Sequence, residues 1–315
     1  MDVRQLRYFC MAFEKQSISR AAEALFLAQP ALSLQIQRLE SELNVTLFIR
    51  HARGIRPTHE AILLYRHARA ILRQIETTAA ILGRKGDQPI TGTVSIAMPS
   101  STSQLIALPL MRQINEALPS VVLEIVIRPS DDLTRQVISG RVDFSLTPDQ
   151  QPVYGVVTEP LWIEEILLLA PTSFQFSGST VAVQDLTNIP LILPSMPNKL
   201  RSRIEHLFLE ARQSYQLFAE SSTTALLVPA TVEGLAATLL PYSAAAHEIE
   251  NQLIQALPFT QPFKREISLV YTDSLALTPA AKGVLSLLIK LINTFINTGK
   301  WRQCQWIGTR SYDSL

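Results

Sequence analysis

The sequence predicts an all-α winged helix-turn-helix head, a long linker helix, and a C-terminal α/β body of two subdomains. Three observations carry that reading. Two short amphipathic helical stretches, residues 17–25 and 29–40, follow one another across a tight break. An apolar seam then runs at near-heptad spacing from Leu64 to Leu82. From Thr91 onward, strand-like and helix-like segments alternate.

The bulk properties set the frame. A chain of 315 residues is long enough for two or three domains, each with its own core. Its 47% hydrophobic and 17% charged residues fit a folded, soluble protein. Asp2, Arg4 and Arg7 interrupt the N-terminal apolar residues, which speaks against a signal peptide. No uncharged apolar run reaches the ~18 residues of a membrane span. The longest, residues 283–296, is broken by Lys290 and Asn293. Of the two cysteines, Cys10 falls on an apolar helix face and reads as a buried thiol, which favours a reducing cytoplasm. Charge is uneven: residues 1–90 hold 13 basic and 8 acidic side chains, residues 91–315 hold 15 and 19. A basic head on an acidic body points to a polyanion as the partner of the head, with chance clustering as the alternative.

In the head, Leu6, Phe9, Cys10 and Phe13 recur at the spacing of one helix face. Ser19 is the expected N-cap of a second helix, with Ile18 packing back and Ala21, Ala22 and Leu25 on a slim inner face. Pro30 suits the first turn of a third helix, with Gln29 at or near its cap. Leu32, Ile36, Leu39 and Leu43 form its buried stripe, opposite Gln29, Ser33, Leu34, Gln37 and Ser41. A core hairpin would not carry so polar an outer face, so the pair reads as a DNA-reading helix-turn-helix. Gln29 has the chemistry for bidentate bonds to adenine, Ser33 for a base edge or phosphate, and Leu34 for a thymine methyl.

Residues 47–50 and 54–57 read as two short strands of a wing around a turn at residues 51–54. Arg50, Arg53 and Arg56 crowd that hairpin, as phosphate or minor-groove contacts or as a solvated charged loop. Thr58 caps the long helix and Glu60 sits where its dipole favours a negative charge. Leu64, Ala68, Ile71, Ile75, Thr78 and Leu82 recur along it as a dimer arm, or as packing on its own domain. Residues 83–89 read as a flexible linker.

In the body, residues 94–98, 121–127 and 142–146 read as strands, with helices over 103–117 and 131–139. Pro109 should kink or restart the first of these helices. The βαβαβ order predicts a parallel sheet. A second α/β unit is expected to start near Ile166, with strands at 191–193, 216–219 and 237–240 and helices at 200–211 and 225–233. A strand at 266–271 and a helix at 279–296 return to the first unit. Ligands in such folds sit at strand C-termini and helix N-termini, where Ser100, Ser101 and Thr102 suit an anion or serve as ordinary caps.

Catalytic signatures do not appear. There is no Gly-x-Gly-x-x-Gly, phosphate loop, His-Glu-x-x-His or Gly-x-Ser-x-Gly, and the five histidines lack metal-ligand spacing. The expectation is a protein without catalytic residues, metal or cofactor. A solute-binding protein would account for the body but not the head.

The first ninety residues resemble the LysR-type transcriptional regulators. The resemblance rests on Leu6-Arg7-Tyr8-Phe9, Ser19-x-Ala21-Ala22-x-x-Leu25, Ala28-Gln29-Pro30-Ala31-Leu32-Ser33, Ile36-x-x-Leu39-Glu40, Leu47-Phe48-x-Arg50 and Pro57-Thr58. Tyr65-x-His67-Ala68-Arg69 and Gly92-x-Val94-Ser95-Ile96 look most like the nitrogen assimilation control branch. The chain departs from the usual pattern at Asn44, Glu60-Ala61, Leu34 and Ala236. The resemblance covers residues 1–295. It implies a DNA-binding domain at 1–58, a linker and dimerisation helix with hinge at 59–90, and an effector-binding domain at 91–300. That domain is similar to periplasmic binding proteins, with subdomain I at about 91–163 and 267–300 and subdomain II at about 164–266. Residues 301–315 form a tail without a reading.

The implied DNA contacts are Ser19, Gln29, Pro30, Ser33, Leu34, Gln37, Arg50, Arg53 and Arg56. Implied effector contacts are Ser100, Ser101, Thr102, Arg128, Ser130, Thr147, Ser195 and Thr223. The implied partners are an inverted-repeat site on double-stranded DNA, further copies of the chain as dimer or tetramer, and RNA polymerase. The implied place is the cytoplasm, with no membrane. Control by a small-molecule co-inducer, or by abundance alone as the nitrogen-control resemblance suggests, both stay open.

Overall fold

The computed structural model describes residues 1–51, 54–83, 89–272 and 277–309. Arg53 and residues 84–88 of the linker expected at 83–89 lie outside them. The chain divides into two compact units, Met1–Gly86 with Ser139–Arg141 and Asp87–Ile138 with Val142–Leu315.

Helix α1 (Val3–Lys15) opens on a capping box, in which Asp2 accepts from the Gln5 amide and Gln5 from the Asp2 amide. Leu6, Phe9 and Cys10 are buried as their spacing predicts. Helix α2 (Ile18–Ala24) is capped by Ser17, not Ser19. Ser17 is extended, at φ −159°, and its hydroxyl accepts from the Arg20 amide at 3.3 Å. Ile18 is already helical, so Ser19 falls inside the first turn, exposed. Helix α3 (Gln29–Leu43) follows Ala28, with Gln29 and Pro30 inside its first turn rather than at the cap. A proline there forfeits no helix hydrogen bond. Asn44 closes the helix in the left-handed conformation, at φ +53°, which asparagine tolerates.

Strands β1 (Phe48–His51) and β2 (Gly54–Pro57) pair antiparallel as the wing. The Glu40 carboxylate accepts from the Leu47 amide at 2.7 Å and the Phe48 amide at 3.1 Å, so α3 fixes where the wing begins. At Gly54 φ is +137° and a Cβ would lie 2.5 Å from the Gln16 carbonyl oxygen, so only glycine fits.

Helix α4 (His59–Gly83) is capped by the Thr58 hydroxyl, which accepts from the Ala61 amide at 3.1 Å. Its seam is divided. Ala61, Leu64, Tyr65, Ala68 and Leu72 pack into the core of the head. Ile71 and Leu82 face outward, at 41% and 78% exposure. The Tyr65 ring stacks on Phe13 with centroids 4.2 Å apart, and its hydroxyl donates to Glu14 at 2.7 Å.

The body begins with β3 (Gly92–Met98), α5 (Ser100–Ala117), β4 (Val121–Ile127), α6 (Leu133–Ile138) and β5 (Phe144–Pro148). β3 pairs parallel with both β4 and β5, as the alternation predicts. Helix α5 runs unbroken through Pro109 and starts at Ser100, three residues before its expected start. The second set of strand partners begins at Ile166, as expected, but within a strand that continues from the first. This single strand, β6 (Val156–Pro171), spans the body.

The remaining elements are β7 (Pro190–Pro194), α7 (Lys199–Glu210), β8 (Gln216–Ser221), α8 (Thr224–Val232), β9 (Thr238–Pro241), α9 (Ala246–Glu250), β10 (Ile254–Pro258), β11 (Lys264–Thr272), α10 (Pro279–Asn297) and β12 (Cys304–Trp306). β6 pairs with β11 over residues 156–165, then changes partners to β9 and β10. β6 and β11 are therefore the two passages between the halves of the body. β12 also pairs with β6, and Trp301 is buried in the main core, so part of the expected tail belongs to the body. Helix α10 is long and apolar enough to cross a membrane by composition. Eight of its side chains, including Leu285, Leu288 and Ile292, are buried in the body, the pattern of a core helix.

Leu32 is fully buried in α3, whereas Leu34 is 47% exposed two residues on. Leu32→Ala should cost about 2–5 kcal/mol of head stability. Leu34→Ala should stay within about 0.5 kcal/mol. Urea unfolding followed by far-ultraviolet circular dichroism checks the contrast.

Candidate DNA interface and ligand cavity

Helix α3 turns Gln29, Pro30, Leu34, Gln37, Arg38 and Ser41 to solvent. Residues 30, 34, 37 and 41 recur at helix spacing along that face. Ser33, expected beside them, is turned inward. It is buried, and its hydroxyl accepts from Arg50 Nη2 at 2.7 Å. Position 33 follows Leu32 by about 100° around the helix, on the flank that meets the wing. Ser33 thus ties the wing to α3 through Arg50. Arg50 and Arg56 both stay exposed on the wing, and Ser19 is exposed at the start of α2.

A cavity of about 270 Å³ lies in the body between the two halves. Ser100, Ser101, Arg128, Ser130 and Thr223 line it, as the sequence suggested. Three expected residues do not reach it. Thr102 is fully buried behind the first turn of α5, and its hydroxyl has no hydrogen-bond partner among the described residues. Thr147 is fully buried in β5 and shares a 2.8 Å hydrogen bond with Ser145. Ser195 closes β7, with its amide donating to the Ser221 carbonyl at 3.0 Å. Thr102 and Thr147 are thus enclosed in the body, and Ser195 is held through its backbone.

Three helix N-termini meet at the cavity, those of α5, α7 and α8. Their states differ. The Asn198 side chain accepts from the Leu200 and Arg201 amides, and Ser130 Oγ accepts from the Lys199 amide at 3.1 Å, so α7 is satisfied from within. Thr223 caps α8 through the Ala225 amide. Helix α5 follows Pro99 and has no side-chain cap. Its first-turn amides and their positive dipole end are the ones left for an anion. Among the described lining residues are two arginines, Arg128 and Arg265, and no carboxylate.

Arg265 was not found from the sequence. It is 5% exposed, and its Nε donates to Glu164 Oε1 at 2.8 Å while Nη2 donates to Ser101 Oγ at 3.0 Å. Glu164 is 1% exposed. A signal was available: Glu164 and Arg265 stand at charged positions within strands of a buried sheet, and buried charges need partners. Which charges met could not be read without the fold. Further contacts join α7 to the end of β5 and the loop after it. Lys199 Nζ donates to the Pro148 and Asp149 carbonyls at 3.2 Å each, and Arg203 meets Asp149 at 2.7 Å. Burial holds the Lys199 ammonium below its usual pKa, against the pull of Asp149 and Asp131.

Residues 3–62 match the family model described as bacterial regulatory helix-turn-helix protein, lysR family. Residues 87–292 match the LysR substrate binding domain. The chain belongs to the LysR family. It is a LysR-type transcriptional regulator with a helix-turn-helix DNA-binding domain and an effector-binding domain.

Among its relatives, the nitrogen assimilation regulatory protein nac of Klebsiella aerogenes is 31% identical over 93% of this chain and 96% of that protein. The protein of the same name from Escherichia coli K12 is 32% identical over 93% and 96%. The regulator shares its fold with a full-length single-site variant of OxyR from Pseudomonas aeruginosa, at a TM-score of 0.74 and 23% identity over 93% and 95% of the two chains. It also shares it with full-length CbnR complexed with its target DNA, at 0.65 and 21% over 93% and 99%.

The two thiols of this regulator are free, Cys10 buried and Cys304 half-buried. Burial pushes the Cys10 thiol up to about 12 and also raises that of Cys304, so both stay protonated near neutrality. Among the described residues no group of His, Cys, Asp and Glu could hold a metal ion.

Glu164→Gln should leave Arg265 buried without a counter-charge and cost about 3–5 kcal/mol. All three tryptophans, Trp162, Trp301 and Trp306, lie in the body. Urea unfolding followed by tryptophan fluorescence therefore reads that unit alone.

Proposed function

We propose that the regulator reads an inverted-repeat promoter site as a homo-oligomer and answers a small anion held in the body cavity. The exposed face of α3 supports the first part. Gln29 and Gln37 supply base readout there, Leu34 meets a thymine methyl, and Arg50 and Arg56 of the wing meet phosphates. Ser33 acts through Arg50 instead of touching a base. The outward residues Ile71 and Leu82 of α4 suit a second copy of the chain. The protein works in the cytoplasm with RNA polymerase as a further partner, as a regulator and not as an enzyme.

The second part rests on one observation above others. The cavity gathers the uncapped N-terminus of α5, Arg128 and Arg265, with no acidic side chain among the described lining residues. That is the chemistry of a carboxylate or phosphate site. The volume suits a small ligand. An anion bound there would change the contacts between the halves and so shift their relative angle. A second reading, control by abundance without an effector, is favoured by the protein groups that already engage Ser130 and Arg265.

Two experiments test these readings. In binding assays with half-site variants, Gln29→Ala should relax base preference at one step by about 1–3 kcal/mol. Arg56→Ala should weaken all sequences alike and lower the salt slope by about one. Unchanged specificity in Gln29→Ala would remove its assigned role. For the cavity, calorimetric titration with inorganic phosphate and with succinate should show binding that Arg128→Ala weakens several-fold. Wild-type protein that binds DNA but neither anion would favour the abundance reading.

A further inference from the structure

The family match ends at residue 292, yet the chain beyond it is built into the body. Trp301 is 1% exposed. Its ring meets Trp162 edge-on, with centroids 5.0 Å apart and planes at 65°. Strand β12 then pairs with β6 in the register Cys304↔Glu164, Gln305↔Ile163 and Trp306↔Trp162. The segment is fastened at Glu164, the residue that holds the cavity arginine.

Side chains complete the connection. Trp301 Nε1 donates to Glu164 Oε2 at 3.3 Å, and the Ser243 hydroxyl reaches the same oxygen at 3.4 Å. Glu164 Oε1 takes Arg265 Nε at 2.8 Å and Nη2 at 2.6 Å. Nη2 also donates to Ser101 Oγ in the cavity wall. Glu164 therefore meets the guanidinium through one oxygen, because the indole and the hydroxyl occupy the other. A carboxylate with both oxygens free prefers the two-oxygen fork on arginine. That fork would draw Arg265 away from Ser101 and from any anion in the cavity.

We infer that Trp301 is a positioning residue for ligand recognition: its indole N–H occupies one oxygen of Glu164 and so keeps Arg265 presented to the cavity. The C-terminal segment thereby sets the anion affinity of the cleft. The inference rests on the anion reading of that cavity. Around metal ligands, removing an outer partner that orients the binding group costs about 10–100-fold in affinity, and the same orienting logic applies to a buried guanidinium.

Trp301→Phe removes the N–H and keeps most of the ring packing against Trp162. Trp306→Phe is the control, since Trp306 Nε1 donates to the Gly308 carbonyl and not to Glu164. Two readouts apply to the full-length protein. Calorimetric titration with succinate and inorganic phosphate measures affinity. The Arg265 Nε–H signal in arginine-labelled protein, assigned through Arg265→Lys, reports the guanidinium without any ligand.

The expected result is about tenfold weaker anion binding and a shifted Arg265 signal in Trp301→Phe, with neither in Trp306→Phe. An unmoved Arg265 signal, or anion binding equal to wild type, overturns the positioning role. If wild type binds neither anion while the signal still shifts in Trp301→Phe, the anion reading falls, and with it any effect on affinity. The hold of Trp301 on Arg265 would then stand alone.

Discussion

The body is organised around the ion pair between Glu164 and Arg265. Both charges are almost fully buried, and each sits on one of the two strands that pass between its halves. Removing a carboxylate and a guanidinium from water costs several kcal/mol per ion unless nearly every donor and acceptor is met. Ser101, Ser243 and Trp301 supply those partners. One residue comes from the start of α5, one follows β9, and one lies beyond α10. The requirement to satisfy one buried pair thus draws together distant parts of the chain. It also places the Arg265 guanidinium in the wall of the cavity.

A different constraint governs the head. Its core is small, so the wing and the reading helix are held by a few directed polar contacts. Glu40 sets the start of β1, Ser33 receives Arg50, and Gly54 passes the Gln16 carbonyl where any side chain would collide. These contacts spend polar side chains on positioning, which leaves Gln29, Leu34 and Gln37 free on the open face. The distinction matters for reading any helix of this kind. A polar residue on a helix that approaches DNA can serve the frame and not the bases.

Local pattern made most elements legible. The apolar periodicity of α1 and α3, the proline at the start of α3 and the glutamate in the first turn of α4 are properties of a few neighbouring residues. The alternation of strands and helices predicted the parallel β4-β3-β5 core correctly. Helix α5 accommodates Pro109 without a break, because tertiary packing of Ile106, Leu110 and Ile114 outweighs one lost hydrogen bond. The cap of α2 moved from Ser19 to Ser17 because two serines two residues apart offer the same chemistry, and only the entry angle of the chain selects one.

By itself the sequence determined the family and the succession of a helical head and an α/β body, and it directed attention to five residues, Ser100, Ser101, Arg128, Ser130 and Thr223, that line the cavity. The helices and the place of Ser100 and Ser101 follow from short-range spacing, whereas Arg128, Ser130 and Thr223 follow from the family resemblance. Tertiary structure alone decided which side chains face the cavity. Thr102 follows Ser101 by about 100° around α5 and leaves the cavity wall, and Thr147 is enclosed within β5, all of whose residues are buried. It alone joined Arg265 to Glu164, 101 residues apart, and Glu164 to Trp301, 137 apart. Pairings at such separations leave no local trace. They exist because buried charges must find partners wherever the fold delivers them.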